Sequence, residues 1–189
     1  MFGVVLGVDP GLSRCGYGAV RRDGDGLTAL AAGIVRTDPD GALSERLARL
    51  DAELGTLVGE LQPDALAVER LLFQHNVRTA MAVGQASGVI LSVAGRVGLA
   101  VTHYSPNEVK QAVVGHGSAD KRQVQMMVAR LLGRREIPGP PDAADALALA
   151  VCHAWRVLPQ SDGHTAPGLH RAVEAALAKE AVIAEEDRR

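Results

Sequence analysis

Two periods of apolar residues alternate along this chain. Val4 to Val8 is an unbroken apolar run closed by Asp9-Pro10-Gly11, the pattern of a buried strand ending in a turn. Gly16 to Arg22 and Leu27 to Arg36 predict two more strands, with Asp23-Gly24-Asp25-Gly26 between them as a hairpin signal. Then the period changes. Leu43, Leu47, Leu50, Leu54, Leu57 and Leu61 recur at steps of four and three, which is one helix face, and Pro63 stops it. The stripe is too short for a sustained coiled coil, so core packing is its expected use. Asp64 to Glu69 predicts a short buried strand, Asn76 to Val97 a helix whose small residues permit close packing, and Leu99 to Tyr104 a last strand. Pro106-Asn107 opens a short helix that Gly115-His116-Gly117 breaks; Ser118 is a candidate N-cap for a helix over residues 119–132. Pro138 to Pro141 leads into an Ala-rich helix from Asp142 to about Val157.

The order βββαβαβα, hairpin first and crossovers later, predicts an α/β fold with a mixed sheet flanked by helices. One domain is expected over residues 1–157. Residues 158–189 then form a linker and a C-terminal helical tail, amphipathic from about Leu169 to Ala184.

Composition narrows the class. Apolar residues make up 47% of the 189, enough for a full core, while aromatics are only 3%, so Leu, Val and Ala must build it. Cys15 and Cys152 have no metal-type spacing and read as buried free thiols. No apolar run approaches bilayer-spanning length, and no basic stretch precedes the first one, so a soluble cytoplasmic protein is expected. The net charge of −2 argues weakly against a nucleic-acid partner, but its distribution argues for one. Between Arg70 and Arg135 stand nine Lys/Arg and only two acids, Glu108 and Asp120. A basic centre beside acidic ends suits a polyanionic substrate.

The chemistry lies in four carboxylates. Asp9 and Glu69 each end an apolar strand, and Asp142 and Asp145 share one face of a helix at i and i+3. Such oxygen ligands suit hard divalent cations, and two cations can clamp the attacking and leaving oxygens of a phosphodiester. Each acid has a plainer use alone. Asp9 could cap a turn, Glu69 could pair with Arg70 or Arg78, and Asp142 could cap its helix. Asp145 leads straight into Ala146-Leu147-Ala148-Leu149-Ala150-Val151 and is poorly explained in that way. Lys110 and Lys121 flank the loop that holds Gly115, Gly117 and Ser118, where a backbone can approach phosphate closely. Arg122 adds charge there. Leu72 and Phe73, after the Glu69 strand, are either core anchors or a wedge against bases.

Taken in order, Gly7-Val8-Asp9-Pro10-Gly11-Leu12, Val68-Glu69-Arg70, Pro106-Asn107-Glu108-Val109-Lys110-Gln111, Gly115-His116-Gly117-Ser118-Ala119-Asp120-Lys121 and Asp142-Ala143-Ala144-Asp145-Ala146-Leu147-Ala148 closely resemble the RuvC family of Holliday-junction resolvases, over about residues 3–156. The resemblance implies an RNase H-like fold with a five-stranded sheet and a homodimer with two active sites. It implies symmetric nicking of two like-polarity strands of a four-way DNA junction at a short T-rich sequence, leaving 5′-phosphate and 3′-hydroxyl ends. Two Mg²⁺ per site, replaceable by Mn²⁺, would be held by Asp9, Glu69, Asp142 and Asp145. Lys110 and Lys121 match lysines required near the scissile phosphate, and Arg78 is a further expected DNA contact. RuvA and RuvB would be partners in recombination and repair. The family commonly has Phe three residues after the catalytic Glu, where this chain has Leu72 followed by Phe73. Rival readings are a nuclease of the same fold acting on RNA–DNA hybrid or simple duplex, a catalytically dead junction-binding module, and an actin-like ATPase.

Overall fold

The computed structural model describes residues 3–24, 26–70, 77–137 and 139–156, with the side chains of residues 77 and 78 outside that description. The expectations for Leu72 and Phe73, for the side chain of Arg78 and for residues 158–189 therefore lie outside the described residues. The chain runs β1 (Gly3–Asp9), β2 (Arg14–Asp23), β3 (Gly26–Arg36), α1 (Leu43–Leu61), β4 (Ala65–Glu69), α2 (Val77–Arg96), β5 (Ala100–Tyr104), α3 (Pro106–Val114), α4 (Lys121–Leu131) and α5 (Pro141–Arg156). One five-stranded mixed sheet has the order β3-β2-β1-β4-β5. β2 is antiparallel to both β1 and β3, while β1, β4 and β5 run parallel. The expected fold class is thus the observed one.

Strand alternation decides what each face carries. Val5 and Gly7 of β1, Gly16, Gly18 and Val20 of β2, and Ala67 of β4 face α3, α4 and α5, where one core forms with Leu147, Val151, Val113 and Val128. Leu6, Val8, Ala19, Leu66 and Val68 face α1 and α2 and meet Leu50, Leu54, Ile90 and Val93 in the second core. The leucine stripe of α1 does pack on this core, except that Leu43 is exposed.

Helix α5 sits unusually low on the sheet because glycines make room. A Cβ on Gly7 would collide with the backbone of Ala146 and Ala150, one on Gly16 with the backbone of Asp142, and one on Gly18 with Leu147. Eleven of the twelve α5 residues from Ala143 through Ala154 are buried, all but Asp145, and its small alanines suit that depth. Two arginines of β2 bracket the helix. Arg14 meets its first turn at Asp142, and the buried Arg22 donates through Nη1 to the Ala154 carbonyl at 2.8 Å, satisfying an end carbonyl.

Two helix starts differ from the sequence reading. Asp120, not Ser118, caps α4: its side chain accepts from Gln123 N, and the Gln123 side chain accepts from the Asp120 N–H in return. Both residues can cap, but only Asp120 has a glutamine three positions on to complete the reciprocal pair. Lys121 is therefore the first helical residue. Helix α5 begins at Pro141, whose fixed φ and missing N–H suit a first position, so Asp142 lies inside the first turn instead of capping it.

Candidate active site

Register brings the first two acids together. β1 and β4 pair in parallel up to Val8 and Val68, so Asp9 and Glu69 are the next residues at neighbouring strand ends. Alternation then aims both toward α5: Asp9 follows Val5 and Gly7, and Glu69 follows Ala65 and Ala67. The low seat of α5 carries Asp145 to the same place.

These residues line one cleft. Asp9, Glu69, Asp145, Lys110 and Lys121 surround about 230 Å³, with Pro106, Val109, Val124, Ala148 and Leu149 as apolar walls. Lys110 comes from α3, whose start is fixed by a reciprocal cap between Ser105 and Glu108. Lys121 comes from the first turn of α4. Its Nζ lies 2.6 Å from Asp145 Oδ2, and this contact raises the lysine pKa. Asp142 stands at the margin, outside the cleft lining, where Arg14 Nη2 lies 2.5 Å and Arg14 Nε 3.1 Å from its Oδ2. The Asp9 carboxyl is pushed up to about 8, first by burial, then by the charge of Glu69 and a hydrogen bond shared with it, and then by Asp145 and Asp142.

Two of the four acids carry a cationic partner, the Lys121 ammonium on Asp145 and the Arg14 guanidinium on Asp142. No three His, Cys, Asp or Glu side chains among the described residues are gathered closely enough to hold a metal ion as they stand. The donor set is nevertheless all carboxylate oxygen, the kind that Mg²⁺ and Mn²⁺ accept.

Other expected residues fall elsewhere. Gly115 ends α3 at φ 91°, a conformation that suits glycine, and its carbonyl accepts from Gln111 Nε2. Ser118 Oγ is 3.1 Å from His116 Nδ1, and Gly117 lies against Asn107. This loop adjoins the lysines but does not line the cleft. Arg122 lines a separate groove with Met126 and Arg135 on the other side of α4. Cys15 and Cys152 are buried free thiols, as expected, and burial pushes each up to about 12.

Sequence reading missed Arg14. A charged residue at a strand start looks like ordinary surface, and only the antiparallel return of β2 brings it back to the Asp9 end. It also missed a cluster behind Glu69. Tyr104 Oη lies 3.0 Å from Nδ1 of the buried His153, and Glu108 lies between Arg70 Nη1 at 3.6 Å and Arg156 Nη1 at 3.5 Å.

The RuvC family, described as crossover junction endodeoxyribonuclease RuvC, matches residues 5–153. This chain belongs to the RuvC family. A RuvC from Salinispora arenicola is 56% identical over 153 residues, covering 80% of this chain and 87% of the relative. One from Rhodococcus jostii is 48% identical over 188 residues, covering 98% and 92%, so its similarity continues beyond Arg156. Among solved structures, Thermus thermophilus RuvC in complex with Holliday junction substrate superposes with a TM-score of 0.77 at 39% identity, covering 80% of this chain and 93% of that one. The yeast mitochondrial Holliday junction resolvase Ydc2, at 12% identity and a TM-score of 0.57, shares the fold. All of the acidic cleft lies within the span that the RuvC family matches. No helix among the described residues is long and apolar enough to cross a membrane.

Proposed function

We propose that this protein resolves Holliday junctions by divalent-cation-dependent nicking of two like-polarity DNA strands, in recombination and repair. The observation that carries the reading is the meeting of Asp9, Glu69 and Asp145 with Lys110 and Lys121 in one cleft at the strand ends, with Asp142 at its rim, in a member of the RuvC family. The 39% identical Thermus relative was solved with such a junction, which favours that substrate over simple duplex or RNA–DNA hybrid.

Asp9, Glu69, Asp142 and Asp145 would hold two cations, Mg²⁺ with Mn²⁺ as substitute. Bound there, such cations supply Lewis-acid activation of a water and charge stabilisation at the leaving 3′-oxygen. The chain's own residues do the rest. Lys110 and Lys121 hold a phosphate against the acids and offset charge developing on it. The apolar walls from Val109, Val124 and Leu149 limit water on one side of the cleft. Leu72 or Phe73 would act as wedge at the junction centre, and Arg78, Gly115, Gly117, Ser118 and Arg122 as backbone contacts.

A homodimer suits a two-fold junction, since it sets two sites on two symmetric strands. The outward face of α2 exposes Met81 and Leu91 beside Gly88 and Gly95, apolar surface that a second copy would cover. RuvA and RuvB are the proposed partners and the cytoplasm the proposed location. Residues 1–157 are the proposed catalytic unit, with 158–189 as an appended tail.

Asp145→Asn tests the site. It removes cation affinity and negative charge together, so cleavage is lost by at least a hundredfold while junction binding is kept or tightened. Near wild-type cleavage by this variant contradicts the assignment.

A further inference from the structure

We propose that Arg14 is a substrate-positioning residue held in reserve on Asp142. Its guanidinium pairs with that carboxylate; when a divalent cation takes the carboxylate, Arg14 turns to a phosphate of the bound strand. This rests on the functional reading above and adds a second, opposed contact to it.

Four observations point this way. First, position: Arg14 opens β2, which runs antiparallel to β1, so it returns to the end where Asp9 lies. It shares the sheet face of Gly16 and Gly18 and so looks toward α5. The two lysines reach the cleft from α3 and α4, whereas Arg14 approaches the first turn of α5 from the β2 side. A strand lying over the acids would be held on both flanks.

Second, the arginine fork is only half used. Nε and Nη2 both donate to one oxygen, Asp142 Oδ2, at 3.1 and 2.5 Å. The planar guanidinium is built to meet two oxygens at once, as a phosphate offers them. Its side chain is 44% exposed, so it can leave without breaking a packed core.

Third, its base is fixed while its tip is exposed. Thr37 N donates to the Ser13 carbonyl at 3.2 Å, and Thr37 Oγ1 to the Leu12 carbonyl at 2.5 Å. Arg46 donates through Nη2 to Ser13 Oγ at 2.6 Å and through Nε to Thr37 Oγ1 at 3.0 Å. Thr37 is buried, so the turn over residues 12–14 is tied to β3 and α1 from behind. An ordinary exposed ion pair is worth little and needs no such brace.

Fourth, Arg36 is the cross-strand partner of Arg14 and is exposed. Like charges facing each other across a ladder disfavour one another unless an anion lies close. Asp142 meets that need here, and in the proposed complex a phosphate meets it instead.

The test uses the full chain as wild type, Arg14→Ala, Arg14→Lys and Asp142→Asn. Mn²⁺ binding is titrated calorimetrically without DNA, and Mg²⁺-driven junction cleavage is followed over a range of junction and salt concentrations. Arg14→Ala should bind Mn²⁺ several-fold tighter, because the competing cation is gone. In cleavage its KM should rise about tenfold with a smaller change in kcat, and its salt slope should fall by about one phosphate contact. Arg14→Lys should lie between. A merely structural role predicts the opposite sign: weaker Mn²⁺ binding and a lower Tm, as in Asp142→Asn, and that result overturns the proposal. An unchanged KM and salt slope overturns it too. Wild type that neither binds Mn²⁺ nor cuts the junction overturns the functional reading along with it.

Discussion

A single carboxyl, Asp9, shows how this site is made. Burial and the nearby charge of Glu69 raise it to about 8 from an ordinary value of 3.8. A raised acid pKa stabilises the folded state at low pH, and that contribution is lost as pH climbs from about 4 through 8. In a chelator the protein should therefore lose thermal stability between about pH 4 and 8, and Asp9→Asn should flatten that loss; scanning calorimetry reads both. Cation binding must displace the same proton, so apparent Mn²⁺ affinity should rise with pH up to about 8 and then level off. An affinity independent of pH over that range contradicts the shared-proton account. At this scale Asp9, Glu69 and Asp145 were legible because each interrupts or ends an apolar run where a charge needs a reason, whereas Asp142 alone reads as a cap. Arg14 was not, since nothing local separates a working arginine from a surface one. The cap of α4 was misread because Ser118 and Asp120 are both good caps, and the choice turns on Gln123.

Elements were legible by period, and their depth was not. The leucine stripe of α1 and the apolar runs of β1 and β4 announce their types, and the structure has them within a residue or two. What periodicity does not show is that Gly7, Gly16 and Gly18 fall on one face of two neighbouring strands. Those glycines let α5 down onto the sheet and so bring Asp142 and Asp145 to Asp9 and Glu69. Gly7→Ala puts a methyl against the backbone of Ala146 and Ala150, which cannot rotate away as a side chain could. The expected cost is about 1–3 kcal/mol or more. Cleavage should fall further than stability explains, because α5 must lift and carry its acids with it. Urea unfolding alongside cleavage at saturating Mg²⁺ checks this; full activity would show that α5 can shift without moving the site. Ser105→Ala removes one side of the α3 cap and should cost about 1 kcal/mol. It should also weaken junction binding, because Lys110 rides on that helix.

Across the whole molecule, charge and topology agree. The net charge is −2, yet the segment from Arg70 to Arg135 is strongly basic, and it supplies both cleft lysines and the exposed Arg122, Arg134 and Arg135. Junction affinity should fall steeply with salt despite the acidic total, and Lys110→Ala should lower the slope by about one contact. Gel-shift titrations from low to physiological salt measure it, and a flat dependence would mean that the basic segment is not the DNA face. The strand order was open from pattern alone, because a βββαβαβα chain can arrange its crossovers in more than one way. The adjacency of the Asp9 and Glu69 strand ends settles which arrangement this chain uses.

The central claim, junction-specific metal-dependent cutting, is tested most directly on a synthetic mobile four-way junction beside linear duplex and RNA–DNA hybrid of the same sequence. Each is incubated with Mg²⁺ and wild type or Asp9→Asn, and the nicks are mapped on every strand. The account predicts paired symmetric nicks in the junction alone, with ligatable ends, absent from the variant. Preferential cutting of the hybrid, or junction binding without any cutting, would contradict it.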